Sequence, residues 1–84
     1  MKMYYTYMLR CQDNSLYTGY TDNVEKRVTT HNEGKGAKYT RGRLPVVLVY
    51  REEFLDKSSA IKREIEIKRL SKEKKEKLAN LKGD

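Results

Sequence analysis

Apolar and polar positions alternate cleanly over the first stretch of the chain. Met3, Tyr5, Tyr7 and Leu9 interleave with Tyr4, Thr6, Met8 and Arg10. This period of two, rich in aromatics, predicts a β-strand. Gln12-Asp13-Asn14-Ser15 follows as a turn cluster, because Asp and Asn bond to nearby backbone and tolerate left-handed geometry. Leu16 to Tyr20 returns as a second strand, so the two make a hairpin. Gly19 within it marks close approach of a ligand or of another backbone segment.

The period then lengthens. Asp22 and Glu25 have the spacing of a capping box, which starts a helix near Asn23. Val24 and Val28 fall on one face of it, and Arg27 and His31 lie one turn apart on an adjoining face. Gly34 and Gly36 end this helix and open a basic loop that runs to Leu44. Pro45 introduces Val46-Val47-Leu48-Val49-Tyr50, a β-branched run with the length and character of a central strand, free to join either edge of the hairpin. Asp56 or Ser58 caps a further helix from about Ser59 to Leu70, with Ile61 and Ile65 as its core row. Ser71 caps a last one, with Leu78 and Leu81 on its apolar side. The order β-β-α-β-α-α with short connections predicts an α+β fold, a three-stranded sheet built on an antiparallel hairpin with helices packed against it. Residues 1–84 make a single domain.

Composition narrows the partners. A chain of 84 residues buries only roughly 60–65% of its unfolded surface, which leaves room for one small core. Seven tyrosines, one Phe and no Trp make tyrosine the main aromatic of that core. A single cysteine, Cys11, excludes an internal disulfide and suits a reducing compartment. No apolar run approaches the ~20 residues that span a bilayer, and the N-terminus lacks the apolar stretch of a signal peptide. The expectation is a cytoplasmic protein, a monomer, with no membrane contact.

The formal charge of +7 is unevenly spread. Lys35, Lys38, Arg41, Arg43 and Arg51 follow one another with no acidic residue between them. Lys57 to Asp84 is again strongly basic. Such clustering favours a polyanion, since each neutralised phosphate releases condensed counterions. Lys35, Lys38, Arg41, Arg43 and Lys68 are the candidate nucleic-acid-binding cations, with Tyr39 available to stack on bases.

Phosphodiester hydrolysis requires a group to deprotonate water, charge for the transition state and help for the leaving oxygen. One carboxylate with phosphate and waters can hold Mg²⁺. Glu64 is the candidate, because it shares a helical row with the apolar Ala60 and Ile67 and a carboxylate there needs a partner. Pairing with Lys68 one turn on is the alternative. Arg27 can clamp phosphate oxygens with its planar fork, or pair with Glu25 or Glu33. His31 is the only histidine. Tyr7 and Tyr17, on antiparallel strands, can be cross-strand neighbours.

The order and spacing of these residues carry more than any one of them. Tyr5-Thr6-Tyr7, then Tyr17-Thr18-Gly19, then Arg27, His31 and Glu64 together resemble the GIY-YIG nuclease superfamily. That group includes phage homing endonucleases, the N-terminal nuclease of bacterial excision repair and structure-specific endonucleases. The chain looks most like the small stand-alone bacterial members, and the resemblance runs from about Tyr4 to Leu78. It includes the stretches 16–21, 34–41 and 60–68. The resemblance implies Tyr7, Tyr17, Arg27, His31 and Glu64 as catalytic residues. Glu64 is the implied ligand of one divalent metal, Mg²⁺ with Mn²⁺ as substitute. It also implies a tyrosine or metal-bound water that takes a proton during attack on phosphorus. Tyr17, with Gly19 leaving space beside its ring for a phosphate, is the expected base. The first motif departs as Tyr-Thr-Tyr, the second has Thr18, and Tyr20 stands where some relatives carry lysine.

The expected activity is metal-dependent cleavage of DNA without strict sequence specificity, on branched, nicked or single-stranded substrates, with a protein partner supplying any specificity and DNA repair as its setting. The alternative is a non-catalytic DNA- or RNA-binding module on the same fold.

Overall fold

A computed structural model describes residues 2–81. The hairpin forms where the alternation places it, with β1 at Tyr4–Arg10 and β2 at Leu16–Thr21. Asn14 takes the left-handed conformation in the turn, with φ of 71°. The third strand, β3 at Val47–Phe54, pairs antiparallel with β1, giving the order β2-β1-β3. The Val46–Tyr50 run therefore joins the β1 edge of the hairpin, one of the two edges its sequence left open, and is an edge strand despite its β-branched character. The centre belongs to β1, whose Thr6 to Leu9 are all fully buried.

Continuous burial of four residues in a strand means that both faces are covered. Tyr7, Leu9 and Cys11 form one core with Val46, sealed by Tyr17, Val28, Leu44 and Leu48. Met8 packs on the opposite face with Ile67 and Ala79, beneath Leu16, Leu70 and Leu78. The register of β3 slips between Met8 and Leu9, a bulge that lets Val49 and Tyr50 both join this second core.

The helices divide between the two faces. On the Tyr7 face lies α1, Val24–Asn32. Its N-cap is Asn23, whose side chain accepts from the Lys26 amide at 3.1 Å, one residue after the Asp22 that the capping-box spacing suggested. Asp22 instead pairs with Lys2. The expected basic loop contains a one-turn helix, α2 at Lys38–Arg41, too short to leave a periodic signal. On the other face lie α3, Lys57–Lys68, capped by Asp56, and α4, Lys72–Asn80, capped by Ser71.

The apolar row of α3 is Ala60 and Ile67, both fully buried. The expected row of Ile61 and Ile65 is displaced, and Ile65 is exposed. Leu81 is likewise exposed, and Ala79 takes the inward place on α4 beside Leu78. Two ion pairs fasten this layer. Arg10 makes a two-pronged contact with Glu76 at 2.6 and 2.7 Å, and Arg63 joins Glu52 of β3 at 2.9 Å.

Candidate active site

Tyr7 and Tyr17 project from the hairpin on the α1 side, with ring centroids 6.4 Å apart. In the register Tyr7 faces Gly19 and Leu9 faces Tyr17, so the rings are diagonal neighbours. Gly19 explains how Tyr7 fits. A Cβ there would stand 2.7 Å from the Tyr7 hydroxyl and 2.9 Å from its ζ carbon. The space at Gly19 thus holds the Tyr7 ring, not the phosphate expected beside Tyr17.

The Tyr7 hydroxyl meets Nε2 of His31 at 3.0 Å, and both residues are fully buried. The other ring nitrogen, Nδ1, lies 2.8 Å from the Thr40 hydroxyl. That hydroxyl has one proton and donates it to the Ala37 carbonyl at 2.9 Å. It must therefore accept from His31, which places the imidazole proton on Nδ1 and leaves Nε2 as the acceptor for Tyr7. Burial, helped by the Arg27 charge, holds His31 below its ordinary pKa and so neutral. Burial also pushes Tyr7 up to about 12, against the opposing pull of the Arg27 guanidinium beside it. Gly36 closes over the imidazole so tightly that any Cβ would overlap Nδ1.

Arg27 lies one turn before His31 on α1. Its Nε–H is buried and has no acceptor among the described residues. The alternative partners fail it, since Glu25 bonds Arg51 across to β3 at 2.9 Å. A buried donor without an acceptor in a nearly complete hydrogen-bond network invites an incoming oxygen.

Glu64 comes from α3, the helix on the other face. Its side chain is only 15% exposed and meets Lys68 at 3.0 Å, so the carboxylate does take the intrahelical partner. Lys68 in turn stands 6.0 Å from the centre of the Tyr17 ring. A shallow depression of about 350 Å³, lined by Tyr17, Thr18, Tyr39, Lys68 and Lys75, straddles β2 at this point. The edge position of β2 is what lets residues of both helical layers meet. The negative charge of Glu64 also acts on Tyr7.

No group of three or more His, Cys, Asp or Glu side chains that could hold a metal ion gathers among the described residues. His31 has both nitrogens engaged. A divalent cation here would rest on Glu64, and that single hard oxygen donor suits Mg²⁺, which keeps most of its own water.

The basic loop is less uniform than its sequence. Arg43 is committed to Asp13 at 2.9 Å and to the Tyr39 carbonyl at 2.7 Å, with its guanidinium 3.9 Å from the Tyr39 ring. Tyr39 also stacks along Tyr17 at 6.1 Å. It serves as a wall of the depression, with the Arg43 group over its ring where a base would stack. Lys35, Lys38 and Arg41 are exposed. Thr40 and Gly36 did not stand out as functional residues in the sequence, although both lie within the 34–41 stretch.

Residues 3–77 match the family model of the GIY-YIG catalytic domain. The chain is 60% identical over 78 residues to the UPF0213 protein SH2523 of Staphylococcus haemolyticus, covering 93% of this chain and 95% of that one. It is 61% identical over 75 residues to the UPF0213 protein NP_0776A of Natronomonas pharaonis, covering 89% and 88%. The solution NMR structure of the UPF0213 protein BH0048 from Bacillus halodurans superposes with a TM-score of 0.62 at 52% identity, covering 96% of this chain and 86% of that one.

Proposed function

The chain belongs to the GIY-YIG family, and from that premise we propose that it is a metal-dependent endonuclease that hydrolyses DNA phosphodiester bonds without strict sequence specificity. The observation that carries the reading is the one-way hydrogen-bond chain from Tyr7 through His31 and Thr40 to the Ala37 carbonyl. It provides a neutral imidazole whose free lone pair faces a tyrosine hydroxyl.

In this reading Tyr7 takes the proton of the attacking water while its own proton moves to Nε2 of His31. Burial raises Tyr7 to about 12 and lowers His31 from its ordinary value. Complete transfer of the tyrosine proton to the imidazole ahead of attack is therefore unfavourable. The proton moves as the water oxygen closes on phosphorus. Arg27 offers its unpartnered Nε–H and its charge to the phosphate oxygens, where developing charge is worth most in a water-poor site. Tyr17 flanks the phosphate and orients it. Glu64 would hold the divalent cation, which when bound supplies positive charge to the phosphate and the leaving oxygen.

A cleavage assay on plasmid, single-stranded and branched DNA with Mg²⁺ tests this. Glu64→Ala should abolish cutting and retain most of the DNA affinity. Cutting by Glu64→Ala at the wild-type rate would sink it. The Glu64–Lys68 contact favours the second reading, a non-catalytic DNA- or RNA-binding module. Binding without cutting by the wild-type chain, in Mg²⁺ and in Mn²⁺, would decide for that.

A further inference from the structure

Beyond Arg27, away from the depression at Tyr17, a second cleft of about 400 Å³ opens. Its walls carry Lys2, Arg27 and Lys57, with Tyr20, Thr21 and Asp22 between them. Three elements contribute the cations: the segment before β1, the middle of α1 and the first residue of α3. Asp22 is the one carboxylate in the lining, and Lys2 engages it at 3.0 Å. Lys57 and Arg27 have no ionic partner among the described residues. The cleft thus carries three cations against one carboxylate, and its chemistry fits a phosphate.

Its position says which one. Tyr20 and Thr21 lie one and two residues beyond Gly19, the residue opposite Tyr7. At strand rise that is roughly 3–7 Å further along β2. Consecutive phosphates of one strand are separated by the ~3.4 Å axial step plus the helical rotation, so their through-space spacing matches the upper end of that displacement. Arg27 stands at the junction and serves both spaces.

We propose that the Lys2–Arg27–Lys57 cleft binds the phosphate next to the scissile one, so that the protein engages a nucleic-acid backbone across at least two consecutive phosphodiesters. The adjacency rests on the endonuclease reading. The anion site itself rests only on the cleft. Affinity for a short ligand then depends on a second phosphodiester, which a trinucleotide has and a dinucleotide lacks.

The test reads binding and cleavage separately. Dissociation constants for a dinucleotide and a trinucleotide are taken from amide shifts of the ¹⁵N-labelled full chain without metal. Cleavage is scored apart, in Mg²⁺. The trinucleotide should shift the Thr21, Asp22 and Lys57 amides. Lys57→Ala should weaken its binding about tenfold and the dinucleotide's less than about twofold. Asp22→Asn, which removes the competing carboxylate, should tighten the trinucleotide. Equal effects of Lys57→Ala on both ligands, no effect on either, a weaker trinucleotide in Asp22→Asn, or shifts confined to the 35–43 loop would overturn the cleft. The expected pattern in a wild-type chain that cuts nothing would retain the anion site and remove the endonuclease reading and the adjacency with it. Cutting without the expected pattern would retain the endonuclease reading and remove the anion site, and the adjacency with it.

Discussion

A tyrosine held near pKa 12 is useless as a base unless something takes its proton, and here that burden falls on one imidazole nitrogen. Tyr7→Phe keeps the ring and removes the hydroxyl, and should cost ~10²-fold or more in the cleavage rate. Tyr17→Phe should cost far less, and steady-state rates on one substrate rank the two. The reverse ranking would give the base role to Tyr17, as the sequence suggested. Thr40 tests the relay from behind. Thr40→Val leaves the His31 Nδ1–H without its acceptor and should slow cleavage roughly tenfold or more with an altered pH profile, whereas Thr40→Ser restores both. Stability carries the same signature. The folded imidazole is held below its ordinary 6.5, so the unfolded chain binds that proton more readily. This contribution is complete above pH 6.5 and is lost as pH falls through the folded value. Urea midpoints of the wild type should therefore decline below pH 6.5, and those of His31→Gln should lack that component. Arg27 and His31 were legible in the sequence because helical spacing fixes their common face. Thr40 was not, because nothing in a threonine nine positions on announces that it will accept from that ring. The Arg43 partner was hidden for a similar reason, since Asp13 lies 30 positions away.

For whole elements, local pattern and tertiary context compete. The α3 sequence contains two plausible apolar rows. Ile61 and Ile65 form the obvious pair, but the helix turns Ala60 and Ile67 to the sheet, where small Ala60 lets the Thr6 hydroxyl donate to its carbonyl at 2.8 Å. Ile67→Ala should cost about 2–5 kcal/mol, and Ile65→Ala, at an exposed position, less than about 1 kcal/mol. Urea denaturation separates them. Which edge of the hairpin the third strand joins was left open, because β-branched composition does not report position. The bulge half-buries Val49 and Tyr50 of β3 while Arg51, Glu52 and Glu53 carry it on as an edge strand whose charges discourage further pairing. The one-turn α2 escaped notice because it is fixed by hydrogen bonds around Thr40 and Ala37, not by any periodic pattern.

Taken as a whole, the molecule is a cation with most of its charge outside the proton-relay residues. Lys38 and Arg41 are exposed and make no ion pair among those recorded for the described residues. Replacing both by Ala should weaken DNA binding evenly across sequences and flatten the salt dependence by roughly 0.9 per lost duplex contact. Fluorescence anisotropy over a range of salt reads that slope, and an unchanged value would move the duplex-binding surface away from this loop. The fold class was legible at this scale because the order of elements and the shortness of their links leave few ways to cover one hairpin. The pairing of β1 with β3 and the layering of the helices lie beyond any local window. That layering has a consequence for how the chain is born. The strand that ends up in the middle is the first of the three to be made, and it can gain β3 only once Val47–Phe54 has followed. Arg10 must then wait a further stretch for Glu76, 66 positions away. Between the making of β1 and the arrival of β3 a ribosome therefore holds the most buried strand half-clothed, and the two-pronged clasp to α4 closes only after both of the sheet's other strands are out.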